Sequence, residues 1–214
     1  MVHYLRHTVI AAAAATTVLA ACDANDPAPP RSKPRDVDVS DGYPAGPYGV
    51  TAGTIAEDIS WENGWREPLA KGFDTSAFET IALSDYYDPD GAKGYRAIVV
   101  NASARWCSIC KTEQKHIREQ HGTWGPRGAV FVEALFEDAS TGPAKPEDLV
   151  AWGNTYQIGW VLVLDPANQL GRFFDRSASP MNMIINARTM EIRSIVTGMP
   201  DDTWWATHLE PLTQ

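Results

Sequence analysis

The sequence predicts an α/β fold built on a mixed sheet. Short apolar runs alternate with helix-like segments in the order β-α-β-α-β, and the chain then finishes with β-β-α. The 214 residues are about the length of one domain with extensions, and 44% of them are hydrophobic, which is enough for one core of ordinary size. The formal net charge of −9 argues against nucleic acid as a partner, because such binding needs clustered Lys and Arg.

Each element is predicted from its local pattern. Residues 78–83 are a weak strand candidate, whereas 97–100 are apolar throughout, as expected of a strand buried on both faces. Residues 108–121 have a helical pattern that is predicted to stop at Gly122. The other predicted elements are strands at 129–136, 160–164, 181–185 and 192–196 and helices at 146–156 and 203–209.

Two features fall outside these elements. Gly and Pro punctuate residues 42–53, which are therefore predicted to be an arm or loop. Four tryptophans are predicted to pack in the core or against the arm, namely Trp61, Trp65, Trp204 and Trp205.

The beginning of the chain is typical of a bacterial export signal. Arg6 precedes an apolar stretch at 9–21, which is too short to span a bilayer as a helix. The stretch ends in Leu19-Ala20-Ala21-Cys22, which resembles the lipobox of bacterial lipoproteins. That resemblance implies a signal peptide at 1–21 and lipidation of Cys22; an ordinary signal with a chance cysteine is the alternative.

A tether is predicted between the anchor and the folded domain. Residues 23–41 contain four prolines and almost no apolar side chains, so they cannot form a core. We therefore expect Cys22 and the tether to occupy 22–42 and one folded domain with an N-terminal extension to occupy 43–214.

The remaining two of the three cysteines carry the predicted chemistry. Cys107 and Cys110 follow the buried strand and open the next predicted helix. A helix N-terminus favours a thiolate, which is the nucleophile in disulfide exchange. The spacing lets the second sulfur attack a mixed disulfide formed on the first. We therefore expect Cys107 to be the exposed attacking thiol and Cys110 to be the resolving thiol.

Other uses of the cysteine pair stay open at this point. The pair could form a structural disulfide, or it could supply half of a zinc site with His116 and His121. The segment between the cysteine pair and these two histidines is too short for the loop of a usual zinc finger. His116 is expected to be a packing or surface residue.

The segment 99–113 resembles the active-site region of the thioredoxin superfamily. It is most similar to the TlpA/ResA-like branch of extracytoplasmic thiol–disulfide oxidoreductases. The family pattern is an apolar strand, then Asn-Phe-Trp-Ala-x-Trp-Cys-x-x-Cys, then a Glu three residues later. The residues that match are Asn101, Trp106, Cys107, Cys110 and Glu113.

Two further segments, within a resemblance that covers about residues 50–214, are similar to this family. Ser179-Pro180 before a strand looks like the cis-Pro loop, which lies beside the CxxC pair and binds substrate backbone. Residues 159–166 look like the family's strand that ends in Asp before a helix. The resemblance implies a thioredoxin-like fold, with a central mixed sheet flanked by helices. It also implies that Trp106, Ser179 and Pro180 bind substrate; Ser179–Pro180 is the one bond expected to be cis.

The sequence departs from the family pattern at several positions. Ala102 and Ser103 replace an aromatic pair, and Ile109 stands where many relatives have Pro. Asn101 stands where cytosolic thioredoxins have a buried Asp, which favours the extracytoplasmic branch. The peroxiredoxin pattern of Pro and Thr ahead of the cysteine is absent, as is the CxxxC pattern of copper chaperones.

Glu113 is predicted to share a helix face with Ile109 and Ile117, so its side chain is expected to point inward near Cys110. A carboxyl group there would have a raised pKa and could accept the proton of the resolving thiol. A surface Glu is the alternative.

These features predict a membrane-tethered thiol–disulfide oxidoreductase of the cell envelope, on the extracytoplasmic side. Its expected partners are cysteines of exported proteins, with apocytochromes as one candidate class, and a membrane thiol donor or acceptor. No cofactor or metal is expected beyond the redox-active disulfide. A copper or zinc metallochaperone and a non-catalytic thioredoxin-like lipoprotein are the alternatives.

Overall fold

The structure, a computed structural model, describes residues 42–214. The predicted signal peptide, Cys22 and all of the predicted tether except residue 42 lie outside the described residues. The strands are β1 (Ser60–Trp65), β2 (Glu79–Ala82), β3 (Ala97–Ala104), β4 (Ala129–Glu137), β5 (Val161–Leu164), β6 (Met181–Asn186) and β7 (Ile192–Thr197). The helices are α1 (Ser108–Trp124), α2 (Pro146–Tyr156) and α3 (Asp202–Leu209).

All seven strands belong to one sheet in the order β2-β1-β5-β4-β3-β6-β7. The three central strands β3, β4 and β5 run parallel, and every other neighbouring pair is antiparallel. The helices α1 and α2 make the long connections that parallel strands need. The predicted α/β class with a mixed sheet and an antiparallel finish is therefore confirmed.

The central strand β3 positions the cysteine pair. All eight of its residues are buried, as expected of a strand covered on both faces. Near its C-terminal end, Ser103 pairs with Leu135 of β4 and Ala102 pairs with Met181 of β6. The end of β3, the end of β4 and the start of β6 therefore meet at one edge of the sheet, where ligands usually bind in such folds.

The predicted stop of α1 at Gly122 is wrong, because the helix continues to Trp124. A glycine inside a helix costs about 1 kcal/mol relative to alanine. The extra turn offsets this cost by burying Trp124, whose indole N–H donates to the side chain of Gln120 at 2.9 Å. The chain reverses instead at Gly128, whose φ of 92° lies in the left-handed region that favours glycine.

Strand β1 is the element that the sequence pattern does not predict. It pairs antiparallel with both β2 and β5. Gly64 lies opposite Val163 of β5, where an added Cβ would come within 2.7 Å of the valine side chain. Glycine is therefore required here by the close approach of two strands, although it weakens a strand pattern in the sequence.

The arm and the tryptophans agree with prediction. Trp61, Trp65 and Trp205 are buried, and the partly buried Trp204 donates from its indole nitrogen to Ser194. The arm contains neither a helix nor a strand; Tyr48 bridges to Ile55, and the backbone N–H of Gly53 donates to Ile192 of β7 at 2.8 Å. No helix between residues 42 and 214 is long and apolar enough to cross a membrane.

Candidate active site

Cys107 and Cys110 form a disulfide at the N-terminus of α1, and their Cα atoms are 5.3 Å apart. Cys107 occupies the residue before the first turn, where its backbone is extended. Its sulfur accepts a hydrogen bond from the backbone N–H of Cys110 at 3.0 Å, in the place where a Ser or Asp side chain usually caps a helix. The Cys107 sulfur therefore lies where backbone N–H groups and the helix dipole stabilise negative charge.

The expectation that Cys107 is exposed is wrong for this oxidised state. Its side chain is buried with 3% exposure, and Cys110 is at 0%. The cover comes from a segment 72 residues later in the chain, because the backbone carbonyl oxygen of Ser179 lies 3.6 Å from the Cys107 sulfur.

Ser179 and Pro180 lie beside the disulfide because β6, which starts at Met181, pairs antiparallel with β3. The Ser179–Pro180 bond is cis, as expected. Gly46–Pro47 in the arm is also cis, so Ser179–Pro180 is not alone in the described part of the chain. The structure thus brings the Ser179–Pro180 segment next to the cysteine pair, which Trp106 directly precedes and which lies about 70 residues earlier in the chain.

Glu113 lies on α1 and is fully buried, so the prediction that its side chain points inward is confirmed. Its two carboxylate oxygens accept hydrogen bonds from the side-chain amides of Asn182 at 2.7 Å and Asn101 at 3.1 Å. Burial raises the pKa of Glu113 to about 8, although these two hydrogen bonds act in the opposite direction.

The prediction that Ile109, Glu113 and Ile117 share one buried face of the helix is confirmed only in part. Ile117 is buried, as expected, whereas Ile109 is 49% exposed. Ile109 lies between the two cysteines, where the helix has only just begun, so its side chain points to solvent rather than to the core. Glu113 is buried because it packs against the face of the sheet where Asn101 of β3 pairs with Asn182 of β6.

Glu137 at the end of β4 is a site residue that sequence reasoning missed. Its carboxylate accepts a hydrogen bond from the indole N–H of Trp106 at 2.6 Å and pairs with the guanidinium of Arg176 at 3.1 Å. Trp106 precedes Cys107, and Arg176 lies three residues before Ser179. One buried carboxylate therefore connects the two chain segments that border the disulfide.

Asn182 and Glu133 were also missed, although a signal for them was present. Each is a polar residue in a run of apolar residues that was predicted to be a buried strand. Buried polar residues of this kind are uncommon and need partners, so they mark candidate site residues.

The histidines of the zinc alternative lie in other contacts. His116 is within 3.6 Å of Asp202 and stacks near Trp205, and His121 lies against Phe131 and Trp160. Among residues 42–214, no group of three or more His, Cys, Asp or Glu side chains is placed to hold a metal ion.

The raised pKa of Glu113 predicts how stability depends on pH. The folded state holds this proton more tightly than the unfolded state, whose ordinary pKa is 4.5. The contribution to stability is therefore fully present below about pH 4.5 and is lost as the pH rises through about 8. We expect Glu113→Gln to gain stability relative to the parent protein between pH 5 and pH 8.

The measurement is urea unfolding of both oxidised proteins at several pH values. Burial lowers the pKa of His121 and His208, so these histidines make stability rise with pH in both proteins. The effect of Glu113 is therefore obtained from the difference between the two proteins. Glu119→Gln removes an exposed carboxylate of the same helix and is the control for the loss of a carboxylate as such. A stability difference between Glu113→Gln and the parent protein that does not change between pH 5 and pH 8 would contradict the prediction.

Solved structures of other bacterial proteins share this fold. A DsbF homologue from Corynebacterium diphtheriae is 14% identical with a TM-score of 0.55, over 79% of this chain and 90% of that chain. A secreted thiol-disulfide isomerase from Corynebacterium glutamicum is 11% identical with a TM-score of 0.56, over 75% and 85%. A thiol:disulfide interchange protein of the thioredoxin family from Chlorobium tepidum is 16% identical with a TM-score of 0.53, over 80% and 99%.

The fold that this chain shares with these proteins is the thioredoxin-like fold, and here a disulfide lies at the start of α1. The chain belongs to the AhpC/TSA family, whose family model matches residues 66–194. No curated protein matches the sequence significantly. The expected thioredoxin-like fold is therefore confirmed, and the expected resemblance to thiol–disulfide oxidoreductases is confirmed at the level of the fold.

Proposed function

We propose that the protein is a membrane-tethered enzyme that exchanges its Cys107–Cys110 disulfide with cysteines of exported proteins. The observation that carries the proposal is the position of the disulfide, at a helix N-terminus and beside the Ser179–Pro180 segment. The helix N-terminus stabilises the Cys107 thiolate, which makes Cys107 a good leaving group when a mixed disulfide with substrate is resolved.

The reaction proceeds by two thiol–disulfide exchanges. In the oxidising direction, a substrate thiolate attacks the Cys107 sulfur, and the Cys107–Cys110 bond breaks with its electron pair going to Cys110. A second substrate thiolate then attacks the substrate sulfur of this mixed disulfide and releases Cys107 as a thiolate. Two electrons pass from the substrate dithiol to the cysteine pair, and the reverse sequence reduces a substrate disulfide.

Glu113 exchanges a proton with Cys110. The two residues are three positions apart on α1, hence neighbours on one face, and both are fully buried. In the oxidising direction the carboxylic acid protonates the departing Cys110 sulfur, and in the reducing direction the carboxylate accepts the thiol proton. A pKa of about 8 keeps both forms populated close to neutral pH, as acid–base catalysis requires.

Trp106, Ser179 and Pro180 bind the substrate chain. The Ser179 carbonyl oxygen beside the Cys107 sulfur is an acceptor that a backbone N–H of an extended peptide can reach. Trp106 directly precedes Cys107 and is held in place by its hydrogen bond to Glu137. The reacting sulfur therefore has two elements that position a peptide beside it.

The protein acts in the cell envelope, on the extracytoplasmic side. The lipobox-like Leu19-Ala20-Ala21-Cys22 and the proline-rich tether support this proposal, and one structural neighbour, the isomerase from Corynebacterium glutamicum, is a secreted protein. An anchored domain on a tether can reach exported proteins as they emerge, and a membrane protein with reactive thiols can supply or accept its electrons.

Cys22→Ser tests the anchor. Because the thiol of Cys22 is the proposed lipid acceptor, the variant is expected to leave the precursor uncut or to release the mature domain from the membrane. The measurement is fractionation of cells that express the full chain, with the size of the processed protein read on a gel. Normal processing together with normal membrane association would contradict lipidation at this position.

The exchange activity is tested with the purified protein in its oxidised form. Incubation with a reduced, unfolded protein that has native disulfides should transfer disulfides to that substrate while thiols appear on the enzyme. The metallochaperone alternative makes a different prediction: the reduced protein would bind one Cu(I) or Zn(II) per chain and would transfer no disulfides.

A further inference from the structure

Glu133 is a second fully buried carboxyl group below the cysteine pair, and the mechanism above does not use it. It lies in the middle of β4. Its Oε1 accepts hydrogen bonds from the Trp152 indole at 2.7 Å and from the Gln114 amide at 2.8 Å, and its Oε2 accepts one from the Trp160 indole at 3.0 Å. All three partners are donors only at these atoms, so the pocket is built to hold a carboxylate.

Hydrogen bonds connect Glu133 to the site from the α1 side. The Gln114 amide that donates to Glu133 also contacts the backbone carbonyl oxygen of Cys110 at 3.3 Å. Gln114 directly follows Glu113, so the two carboxyl groups are held by adjacent residues of the same helix. A change in the charge of Glu133 therefore acts on the first turns of α1.

The sheet brings the two carboxyl groups together from the other side. Asn101 of β3 pairs in register with Glu133 of β4 and with Asn182 of β6. The amide of Asn101 donates to Glu113, and its oxygen accepts from the hydroxyl of Ser103 at 2.7 Å. Glu113 and Glu133 therefore face the same small polar region between α1 and the sheet.

No cation neutralises this region. Within residues 42–214, neither Glu113 nor Glu133 takes part in an ion pair. Burying a second negative charge beside the first, without a cation, is costly because each ion is desolvated and the two repel. The pair therefore loses its second proton less readily than its first.

The other titratable groups around the pair are few. Tyr156 of α2 has a raised pKa, caused first by burial and then by the charge of Glu133, while Arg105 acts in the opposite direction. His121 of α1 stacks on Trp160, and burial lowers its pKa. From β3 and β6 the pair is faced by Asn101, Ser103 and Asn182, which do not titrate.

We infer that Glu133 is a positioning residue that acts through Glu113: the two buried carboxyl groups titrate as one coupled pair, and the charge on Glu133 keeps the proton on Glu113 at neutral pH. Glu133 accepts three hydrogen bonds and Glu113 accepts two, so Glu133 loses its proton first. The pKa values agree with this order, since burial raises that of Glu133 to about 7 and that of Glu113 to about 8. The negative charge of Glu133 is one of the causes of the raised pKa of Glu113, after burial.

This inference depends on the proposed function only for its consequence in catalysis. If Glu113 exchanges a proton with Cys110, then Glu133 sets the pH at which Glu113 changes from acid to base. The coupling itself is a property of the oxidised protein and can be measured without a substrate.

The test is carbon NMR of the full chain labelled at the glutamate carboxyl carbons, oxidised and titrated from pH 5 to 10. In the parent protein, two carboxyl signals should titrate well above the usual range, and the Glu113 signal should also respond to the Glu133 step. In Glu133→Gln, the Glu113 midpoint should move to lower pH by about one unit, the size typical of interacting sites. Glu119→Gln is the control and should move neither signal.

A second variant covers the case in which Glu133→Gln does not fold. Trp160→Phe keeps the carboxyl group but removes one donor, so the Glu133 midpoint should rise and the Glu113 midpoint should fall. In exchange assays, the rate should change with pH where Glu113 titrates. The pH of this change should move in the same direction as the NMR midpoint of Glu113. A folded variant that is less stable but leaves the Glu113 midpoint unchanged would overturn the inference and make Glu133 a structural residue only. A parent protein without exchange activity would refute the proposed function but would leave the NMR result to decide the coupling.

Discussion

Cys110→Ser should accumulate covalent mixed disulfides with substrate proteins, whereas Cys107→Ser should accumulate none, and both variants should lose turnover completely. Cys107 caps α1, where its thiolate is stabilised, and its sulfur lies next to the Ser179 carbonyl oxygen on the substrate side. Cys110 is fully buried, so its thiolate can attack the disulfide between Cys107 and a substrate but not an incoming substrate. In Cys110→Ser, the mixed disulfide that forms when Cys107 attacks a substrate disulfide has no resolving thiol within the enzyme.

The trapped species are measured by non-reducing electrophoresis and mass spectrometry of extracts from cells that express each variant. Dithiothreitol should release them, and a variant without both cysteines should yield none. Alkylation of the reduced parent protein at mildly acidic pH should label Cys107 first. Trapping by Cys107→Ser, or earlier labelling of Cys110, would reverse the two roles.

Glu113→Gln should slow thiol exchange by about 10²-fold, the lower end of the range for loss of a general acid–base group. The substitution keeps the size of the side chain and its ability to accept one of its two hydrogen bonds, but it removes the titrating group. The rate of the parent protein should have an inflection near pH 8, where Glu113 titrates, and the variant should lack it.

The measurement is the pH dependence of the exchange rate between pH 5.5 and 9.5, followed by the fluorescence of the tryptophans near the disulfide. Glu119→Gln serves as the matched control because it removes an exposed carboxylate from the same helix. A rate profile of Glu113→Gln that coincides with that of the parent protein would remove Glu113 from the mechanism.

The sequence predicts most of the elements because their signals are local. The apolar run of β3, the Pro and acids at the start of α2 and the hairpin of β6 and β7 all lie where expected. Strand β1 was missed because Gly64 interrupts its pattern, and the reason for this glycine is contact with β5, about a hundred residues later. Gly122 misled the prediction for α1 because the burial of Trp124 outweighs a glycine in the helix.

The residues of the candidate site were likewise predicted where the signal is local and missed where it depends on strand pairing. The cysteine pair, Glu113 and Pro180 were predicted because they belong to short motifs with characteristic spacing. The burial of Cys107 was not predicted, since its cover is supplied by Ser179 through pairing of β3 with β6. Glu133 and Glu137 acquire their roles from the register of β4 beside β3, which a single sequence does not specify.

The reduction potential of the Cys107–Cys110 pair tests the central claim most directly. The protein is equilibrated in dithiothreitol and glutathione buffers of defined potential, and the reduced fraction is measured by alkylation and mass spectrometry. A redox-active pair should show one reversible two-electron transition, with a midpoint between about −120 and −270 mV as in known thiol–disulfide oxidoreductases. A disulfide that stays oxidised until the potential falls below about −300 mV would be structural and would contradict the account.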